Sequence, residues 1–223
     1  MVVRNAKRTL ERFGARSRSS LRNIQNIALA WCVLLIVLGC SGYQAEKSGV
    51  VLPAPLSGSD QLPLAVGLKI TGQSLSGGFT DMGPIFASRL ASTNLFKSIV
   101  FPVSTTDKSD LLIEANFSGK HVGDSATFAK GFFTGLFLFL PSPAVEYEDH
   151  YITTSVIVVT QGAQQVRSYS AGSDIAVKSK LMASDEDIQK EGIAAATKEL
   201  MDRLIAQFHN DRTVFAGLHS SSQ

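Results

Sequence analysis

The chain has 223 residues, of which 44% are hydrophobic and 18% are charged. Its 21 basic and 19 acidic residues include seven basic residues and one acid ahead of residue 27, so the remainder holds 14 basic and 18 acidic residues and a charge of −4. That balance excludes an extended basic surface, and we predict no nucleic-acid partner. The length is enough for one domain with its own core.

A basic leader followed by a short apolar run begins the sequence. The run from Ile27 to Leu38 has 12 apolar residues and no charge, whereas a helix that spans a bilayer needs roughly 20. Basic residues ahead of an apolar run of this length are typical of a secretory signal peptide. The basic residues of the leader are Arg4, Lys7, Arg8, Arg12, Arg16, Arg18 and Arg22.

The apolar run ends in Val37-Leu38-Gly39-Cys40. Gly39 is small, as a signal peptidase requires before its cut, and the thiol of Cys40 can accept a diacylglyceryl group. The pattern resembles that of bacterial lipoprotein precursors (Leu, then Ala or Ser, then Gly or Ala, then Cys), from which Val37 and Leu38 depart. The resemblance implies a signal peptide over residues 1–39, cleavage between Gly39 and Cys40, and lipidation of Cys40. The alternative is an uncleaved signal anchor in the inner membrane.

Lipidation would place the protein at a membrane and leave it without a disulfide. Two or more acyl chains anchor a protein stably where one is marginal. Ser41 is not acidic, and the resemblance then implies the outer membrane, at its periplasmic face. Cys32 leaves with the leader and Cys40 is acylated, so the folded part has no other cysteine and depends on its core alone.

Residues 40–63 are predicted to be an acylated tether. The segment contains Gly, Ser and the prolines Pro53, Pro55 and Pro63, with little apolar periodicity. The alternative is a short extended arm that packs on the domain.

The domain itself is predicted over residues 64–209, and its first half indicates a βαβ unit. Leu64–Ile70 alternates as a half-buried strand does, and residues 71–83 form a loop rich in Gly and Ser. Pro84 then opens a helix that ends near Asn94. A second strand follows over residues 98–103, so strand, helix and strand succeed one another as in parallel pairing.

The second half of the domain is predicted to contain a third strand, a hairpin and a long helix. Residues 111–117 form the third strand, and Glu146–Thr160 is a central strand because both of its faces carry β-branched residues. A turn at residues 161–163 leads to a returning strand over residues 165–171.

The long helix is predicted to start at Ser184, which can cap it, with Asp187 at the capping-box position. Apolar residues recur at helical spacing as far as Phe208. Residues 210–223 are polar and are predicted to be a disordered tail. The fold class is therefore α/β, with a single mixed sheet of about five strands and two packed helices.

An apolar insertion over residues 128–145 is the most unusual part of the folded chain. Residues 128–140 carry five phenylalanines and one charge, and they are too few to span a bilayer as a helix. Three interpretations remain open: a buried insertion that covers the sheet, a lip that dips into the membrane interface, and a surface for self-association or a partner. The predicted membrane or partner contacts are Phe132, Phe133, Leu136, Phe137 and Phe139.

Acids, aromatics and a histidine cluster in residues 146–151. Alternation places Glu146, Glu148 and His150 on one face of an extended segment, and Tyr147, Asp149 and Tyr151 on the other. The cluster could bind a cation or a sugar; the alternative is a solvated strand entry. The other histidines, His121, His209 and His219, have no ligand-like spacing with it.

The sequence contains no recognisable nucleophile, acid–base pair or cofactor motif, so we predict a protein that is not an enzyme, with no catalytic residue, metal or cofactor.

The order strand, helix, strand, strand, hairpin and capped helix resembles the anticodon-binding-like α/β domain of several periplasmic assembly factors. These include the curli secretion lipoprotein, the amino-terminal domain of the Tol-system β-propeller protein, and lipoprotein activators of penicillin-binding proteins. The segments that carry the resemblance are Leu64–Ile70, Phe96–Val103, Ser109–Phe117 and Ile193–Phe208. It implies a membrane-anchored module that binds a protein partner or oligomerises. The alternative is a lipid or small-molecule carrier with residues 128–140 lining an apolar pocket.

Overall fold

The computed structural model describes residues 43–45, 49–104, 106–125, 129, 130, 132, 145–180 and 184–220. The predicted cleavage and lipidation site at Gly39 and Cys40 lies outside these ranges. So do the predicted contact residues Phe133, Leu136, Phe137 and Phe139.

Within the described ranges the chain forms one mixed sheet of six strands and three α-helices, which confirms the predicted α/β class with one more strand and one more helix. The strands are β1 (Tyr43–Ala45), β2 (Leu62–Leu75), β3 (Phe96–Val100), β4 (Leu111–Val122), β5 (Glu146–Gln161) and β6 (Gln164–Lys180). The helices are α1 (Gly83–Ser92), α2 (Asp185–Asn210) and α3 (Arg212–Ser220), and a single 3-10 turn lies at Gly58–Asp60.

The strands lie in the order β1-β6-β5-β4-β2-β3. β2 is parallel to both of its neighbours, β3 and β4, and α1 connects β2 to β3, so the predicted βαβ unit is confirmed. The remaining pairs are antiparallel. The predicted hairpin is also confirmed, with Gly162 in its turn at a φ of +59°.

One face of the sheet packs against the helices and forms the core. Alternate residues of β2 and β4 are buried there together with the apolar faces of α1 and α2, because successive side chains of a strand point to opposite faces. Phe208 of α2 is fully buried, and its ring contacts the rings of Phe86, Phe96, Tyr169 and Phe215 at centroid distances between 4.7 and 6.4 Å. These aromatic contacts join the three helices to the sheet.

The long helix begins as predicted. The side chain of Ser184 accepts a hydrogen bond from the backbone N–H of Asp187 at 3.3 Å, and three acids occupy the first turn.

The prediction of a disordered tail after Asn210 is wrong for residues 212–220, which form α3. Phe215 is fully buried and stacks on Phe208, with ring centroids 5.9 Å apart. At the junction between the helices, the carboxylate of Asp211 accepts hydrogen bonds from Tyr169 Oη at 2.9 Å and Arg167 Nε at 3.1 Å. Residues 212–220 therefore form a helix although many of them are polar. The burial of Phe215 and the hydrogen bonds to Asp211 stabilise it.

The described part of the predicted tether is an arm that packs on the domain, as in the alternative interpretation. β1 pairs with β6, and Leu52 and Leu56 pack against the core. The backbone N–H of Leu56 donates to the carbonyl of Thr93 at 3.0 Å. The arm therefore contributes a strand of three residues, which is too short to show a periodic pattern in the sequence.

Besides β4, which continues from Phe117 to Val122 in pairing with β5, two strands extend well beyond their predicted ends. β2 continues to Leu75, so the first five residues of the predicted loop 71–83 are strand, and β6 continues to Lys180 rather than ending at Ala171. Both extensions pair with a neighbouring strand, β2 with β4 and β6 with β5. Ladder hydrogen bonds hold these segments in the sheet even though Gly and Ser have a low strand propensity.

The substitution Gly192→Ala is expected to destabilise the fold, because α2 approaches the sheet closely at this position. A Cβ at residue 192 would lie 2.2 Å from ring atoms of Tyr151, and that buried ring is also stacked on His121, so it has little room to move. We expect the free energy of unfolding in urea to fall by roughly 1–3 kcal/mol. The matched control is Gly217→Ala in α3, where a Cβ meets nothing within 4 Å; an equal loss in both variants would contradict the close approach.

Candidate functional site

The start of β1 and the insertion between β4 and β5 lie at one end of the sheet, which we call the Tyr43 end. Tyr43 lies opposite Ser179 of β6, and Ser179 lies opposite Tyr147 of β5. Val122, the last residue of β4, pairs with His150 of β5. The chain that enters at Tyr43 and the insertion that separates β4 from β5 therefore emerge from neighbouring positions.

A polar network at the Tyr43 end joins the two ends of the insertion. Lys130 Nζ forms an ion pair with the carboxylate of Asp124 and donates a hydrogen bond to the carbonyl of Glu146 at 2.7 Å. The same ammonium group lies 5.6 Å from the centroid of the Tyr147 ring. Asp124 Oδ2 also accepts from the backbone N–H of Glu148 at 3.3 Å. The network fixes where the insertion leaves the sheet and where it returns.

Phe132 is the one predicted contact residue that the structure describes, and it is 60% exposed. It follows Lys130 by two positions, directly beyond the polar network. Phe132 itself is therefore not buried against the sheet, and the three interpretations of the insertion as a whole stay predictions.

The predicted division of residues 146–151 into two faces agrees with the structure. Tyr151 is 1% exposed and packs under α2, and its ring stacks on His121 with a centroid distance of 4.7 Å and an interplanar angle of 12°. His121 Nε2 also lies 3.4 Å from Asp149 Oδ1. Sequence spacing missed His121 because the antiparallel pairing of β4 with β5, and not proximity in the chain, brings it to this cluster.

Tyr151 is held in its protonated form. Burial raises the pKa of Tyr151 to about 12, and the negative charges of Asp149 and Asp185 add to the increase. A phenol of this kind does not serve as a base near neutral pH, so the ring acts as a packing surface for α2.

On the opposite face of β5, His150 lies between acids. Its Nδ1 is 2.9 Å from Asp174 Oδ1, and its Nε2 is 3.8 Å from Glu148 Oε1. The side chain of Asp174 is 55% exposed, which fits the interpretation of a solvated strand entry. Over the part of the chain that the structure describes, no three His, Cys, Asp or Glu side chains are grouped as a metal ion requires. None of the helices in the described ranges combines the length and the apolarity needed to cross a membrane.

A groove of about 540 Å³ lies between α1 and α2, and the sequence did not reveal it. Its apolar surface includes Ile85 of α1 and Ile193 and Met201 of α2, and Arg89 and Lys190 are among its charged residues. Among the described residues, the lining consists of Gly78, Thr80, Ile85, Arg89, Glu186, Gln189, Lys190, Ile193, Ala194, Thr197, Lys198 and Met201. The two helices are about 100 residues apart in the chain, so only the fold brings their side chains together.

The glycine-rich loop after β2 forms one wall of the groove. Gly78 has a φ of +86°, and a Cβ there would lie 2.7 Å from Gln189 Nε2 and 3.1 Å from Ile193 Cδ1. Gln189 Nε2 donates a hydrogen bond to the carbonyl of Gly77 at 2.9 Å. Glycine is required at residue 78 both for the backbone conformation and for the close contact with α2.

No protein-family model and no curated protein matches the sequence. Among solved structures, the chain is similar to a DUF330-family protein from Xanthomonas campestris, with a TM-score of 0.41 and 6% identity over 78% of this chain and 97% of that one. It is similar to a neuraminyllactose-binding hemagglutinin homologue from Helicobacter pylori, with a TM-score of 0.42 and 9% identity over 77% and 95% of the two chains. It is also similar to lipoprotein B from Nitrosomonas europaea, with a TM-score of 0.35 and 13% identity over 76% and 93%. Likenesses at this level assign neither a family nor a function.

The substitution Asp124→Ala is expected to loosen the base of the insertion. It removes the acceptor of the Glu148 backbone N–H and the ion-pair partner of Lys130 at a side chain that is only 10% exposed. We expect the free energy of unfolding in urea to fall by roughly 1–3 kcal/mol, with faster hydrogen exchange at the Glu148 amide. The control Asp174→Ala removes an exposed carboxylate from the same end of the sheet and is expected to cost about 1 kcal/mol or less. Unchanged exchange at Glu148 would show that Asp124 does not hold the insertion.

Proposed function

We propose that this protein is a non-catalytic envelope lipoprotein that binds a protein partner or its own copies at a membrane. The signal peptide of residues 1–39 is removed, Cys40 carries the acyl chains, and the domain stands at the periplasmic face of the outer membrane. The observation that supports this most strongly is geometric: the route to Cys40 and the apolar insertion share the Tyr43 end of the sheet.

The distance from the fold to the acylated residue is short. Cys40 precedes Tyr43 by three residues, and three residues span at most about 11 Å. Tyr43 is held in register against Ser179 by β1–β6 pairing. An acyl anchor at Cys40 therefore keeps the Tyr43 end of the sheet close to the bilayer surface, whatever path residues 41 and 42 take.

The apolar insertion fits the membrane interface at that position. It starts and returns beside Lys130 and Glu146, at the end of the sheet that the anchor holds down. Phe132 is already exposed to the surroundings, and large aromatic side chains partition into the interfacial region of a bilayer. The proposed contacts are Phe132, Phe133, Leu136, Phe137 and Phe139.

The charged side chains near the insertion have structural partners, which supports a binding role over a catalytic one. Lys130 is paired with Asp124, and His150 is paired with Asp174. The stacked Tyr151 is protonated under α2. These groups fix the shape of the Tyr43 end, and a partner would recognise that shape together with the exposed insertion.

Cys40→Ala is expected to leave the precursor uncleaved, because the peptidase that processes lipoproteins acts on the diacylated cysteine. The measurement is the mass of the protein and its mobility in whole-cell extracts, with and without globomycin. Cys32→Ala is the matched control: it removes the other cysteine of the chain, inside the apolar run, and is expected to be processed normally. Normal processing of Cys40→Ala, or no effect of globomycin, would refute acylation at this residue.

Phe132→Trp is expected to report contact with lipid. The one tryptophan of the chain, Trp31, lies in the signal peptide, so the processed variant has a single indole. On vesicles of brominated phosphatidylethanolamine we expect quenching of the fluorescence of this introduced indole, and loss of that quenching when Phe133→Asp and Phe137→Asp are added. The control Val156→Trp places the indole at a position of β5 that is 54% exposed and remote from the insertion. Equal quenching at both positions would exclude a membrane-inserted lip and leave the interface with a partner protein.

A further inference from the structure

The groove between α1 and α2 combines an apolar floor with a basic rim. Ile85, Ile193 and Met201 provide apolar surface, and Ile85 is 38% exposed on the side of α1 that faces the groove. A volume of about 540 Å³ lies within the range of small-molecule sites, about 300–1,000 Å³. An apolar floor of this size favours a ligand with a hydrocarbon portion.

Two basic side chains at the groove, Arg89 and Lys190, are placed to bind an anionic group. Among the ion pairs of the described residues, none includes Arg89 or Lys190, whereas the third cation, Lys198, is paired with Asp202. Among the described residues that line the groove, Glu186 is the one acid, and it makes no ion pair with Lys190, one helical turn away. An anionic group seated between Arg89 and Lys190 would gain charge-assisted hydrogen bonds from both.

The groove lies near the Tyr43 end of the sheet. β2 ends at Leu75 opposite Gly119 of β4, near that end, and the loop that follows forms the wall at Gly78. α2 also starts from that end, because it follows Lys180 at the end of β6. The residues that line the groove from α2 lie in its first 17 positions. A ligand drawn from a membrane at the Tyr43 end would therefore have a short path to the groove.

We propose that this groove binds a single-chain portion of an amphiphile, with the hydrocarbon along Ile85, Ile193 and Met201 and the anionic head between Arg89 and Lys190. The head chemistry is a carboxylate or a phosphate, supplied by a free fatty acid or by an anionic phospholipid. The inference relies on the proposed function only for the nearness of a membrane; the recognition chemistry belongs to the groove itself.

The test is photo-crosslinking of the full acylated protein. In one arm the probe is a diazirine-bearing fatty acid in solution without vesicles, and in the other it is a diazirine-bearing phosphatidylglycerol in phosphatidylethanolamine vesicles. After irradiation, peptide mass spectrometry locates the adduct. We expect adducts on the peptides that contain Ile85, Ile193 or Met201, and the arm that labels them identifies the source of the head group. The arm without vesicles reports on the groove even if the protein is not anchored.

The variants separate recognition from general charge. Arg89→Glu with Lys190→Glu is expected to reduce labelling roughly tenfold or more, because both contacts to the anion become repulsive. Lys97→Glu with Lys108→Glu makes the same change in net charge on exposed residues outside the groove and is expected to label as the wild type. Ala194→Trp fills the groove at an exposed position and is expected to reduce labelling without a change of charge. Absence of groove adducts in both arms, or equal labelling of the rim variant and its charge control, would overturn the proposal.

Discussion

The packing of α2 on the sheet depends on one close approach, and the remainder of the architecture follows from it. Gly192 lies directly on the ring of Tyr151, with no room for a Cβ, and Thr153 Oγ1 donates a hydrogen bond to the carbonyl of Ala196 at 3.3 Å. Small buried side chains, Ser155 and Ser173, lie on the same face of the sheet. Because the backbone of the helix can approach so closely, its far end can place Phe208 among the aromatic rings of the core. The described residues include no cysteine, so this packing and not a disulfide stabilises the part of the domain that the structure describes.

The same packing sets the positions of the two candidate surfaces. With α2 fixed by Gly192, its neighbours Gln189 and Ile193 meet the loop at Gly78, and the groove toward α1 is the space that remains. The ring of Tyr151 in turn contacts His121 near the end of β4, and it lies near the start of β5, where the insertion returns to the sheet. The groove and the insertion are therefore both built on the Tyr43 end, although no sequence segment contains both.

The sequence predicted the elements whose signals are local and missed those that depend on distant partners. The alternation of Leu64–Ile70 and the capping residue Ser184 identified a strand and a helix start correctly, because each is a property of a few adjacent residues. Local signals did not predict that β6 extends to Lys180 or that residues 212–220 form α3. The first is stabilised by pairing with β5, and the second by the burial of Phe215 against Phe208. The groove could not be predicted because its lining comes from both α1 and α2, which only the fold brings together.

A lipid anchor alone would leave a domain free to tilt about its tether, since a short flexible chain constrains distance and not direction. We propose that the apolar insertion beside the anchor supplies a second contact, and two contacts at one end of the sheet would fix which face of the domain points away from the membrane. With the Tyr43 end toward the bilayer, α3 and the junction at Asp211 point away from it, because α2 runs from the Tyr43 end to Asn210. In the proposed arrangement, the groove would lie on the membrane side of the domain and the opposite end would face the periplasm. In this proposal, the acyl chains hold the domain at the membrane and the insertion fixes the orientation of the domain.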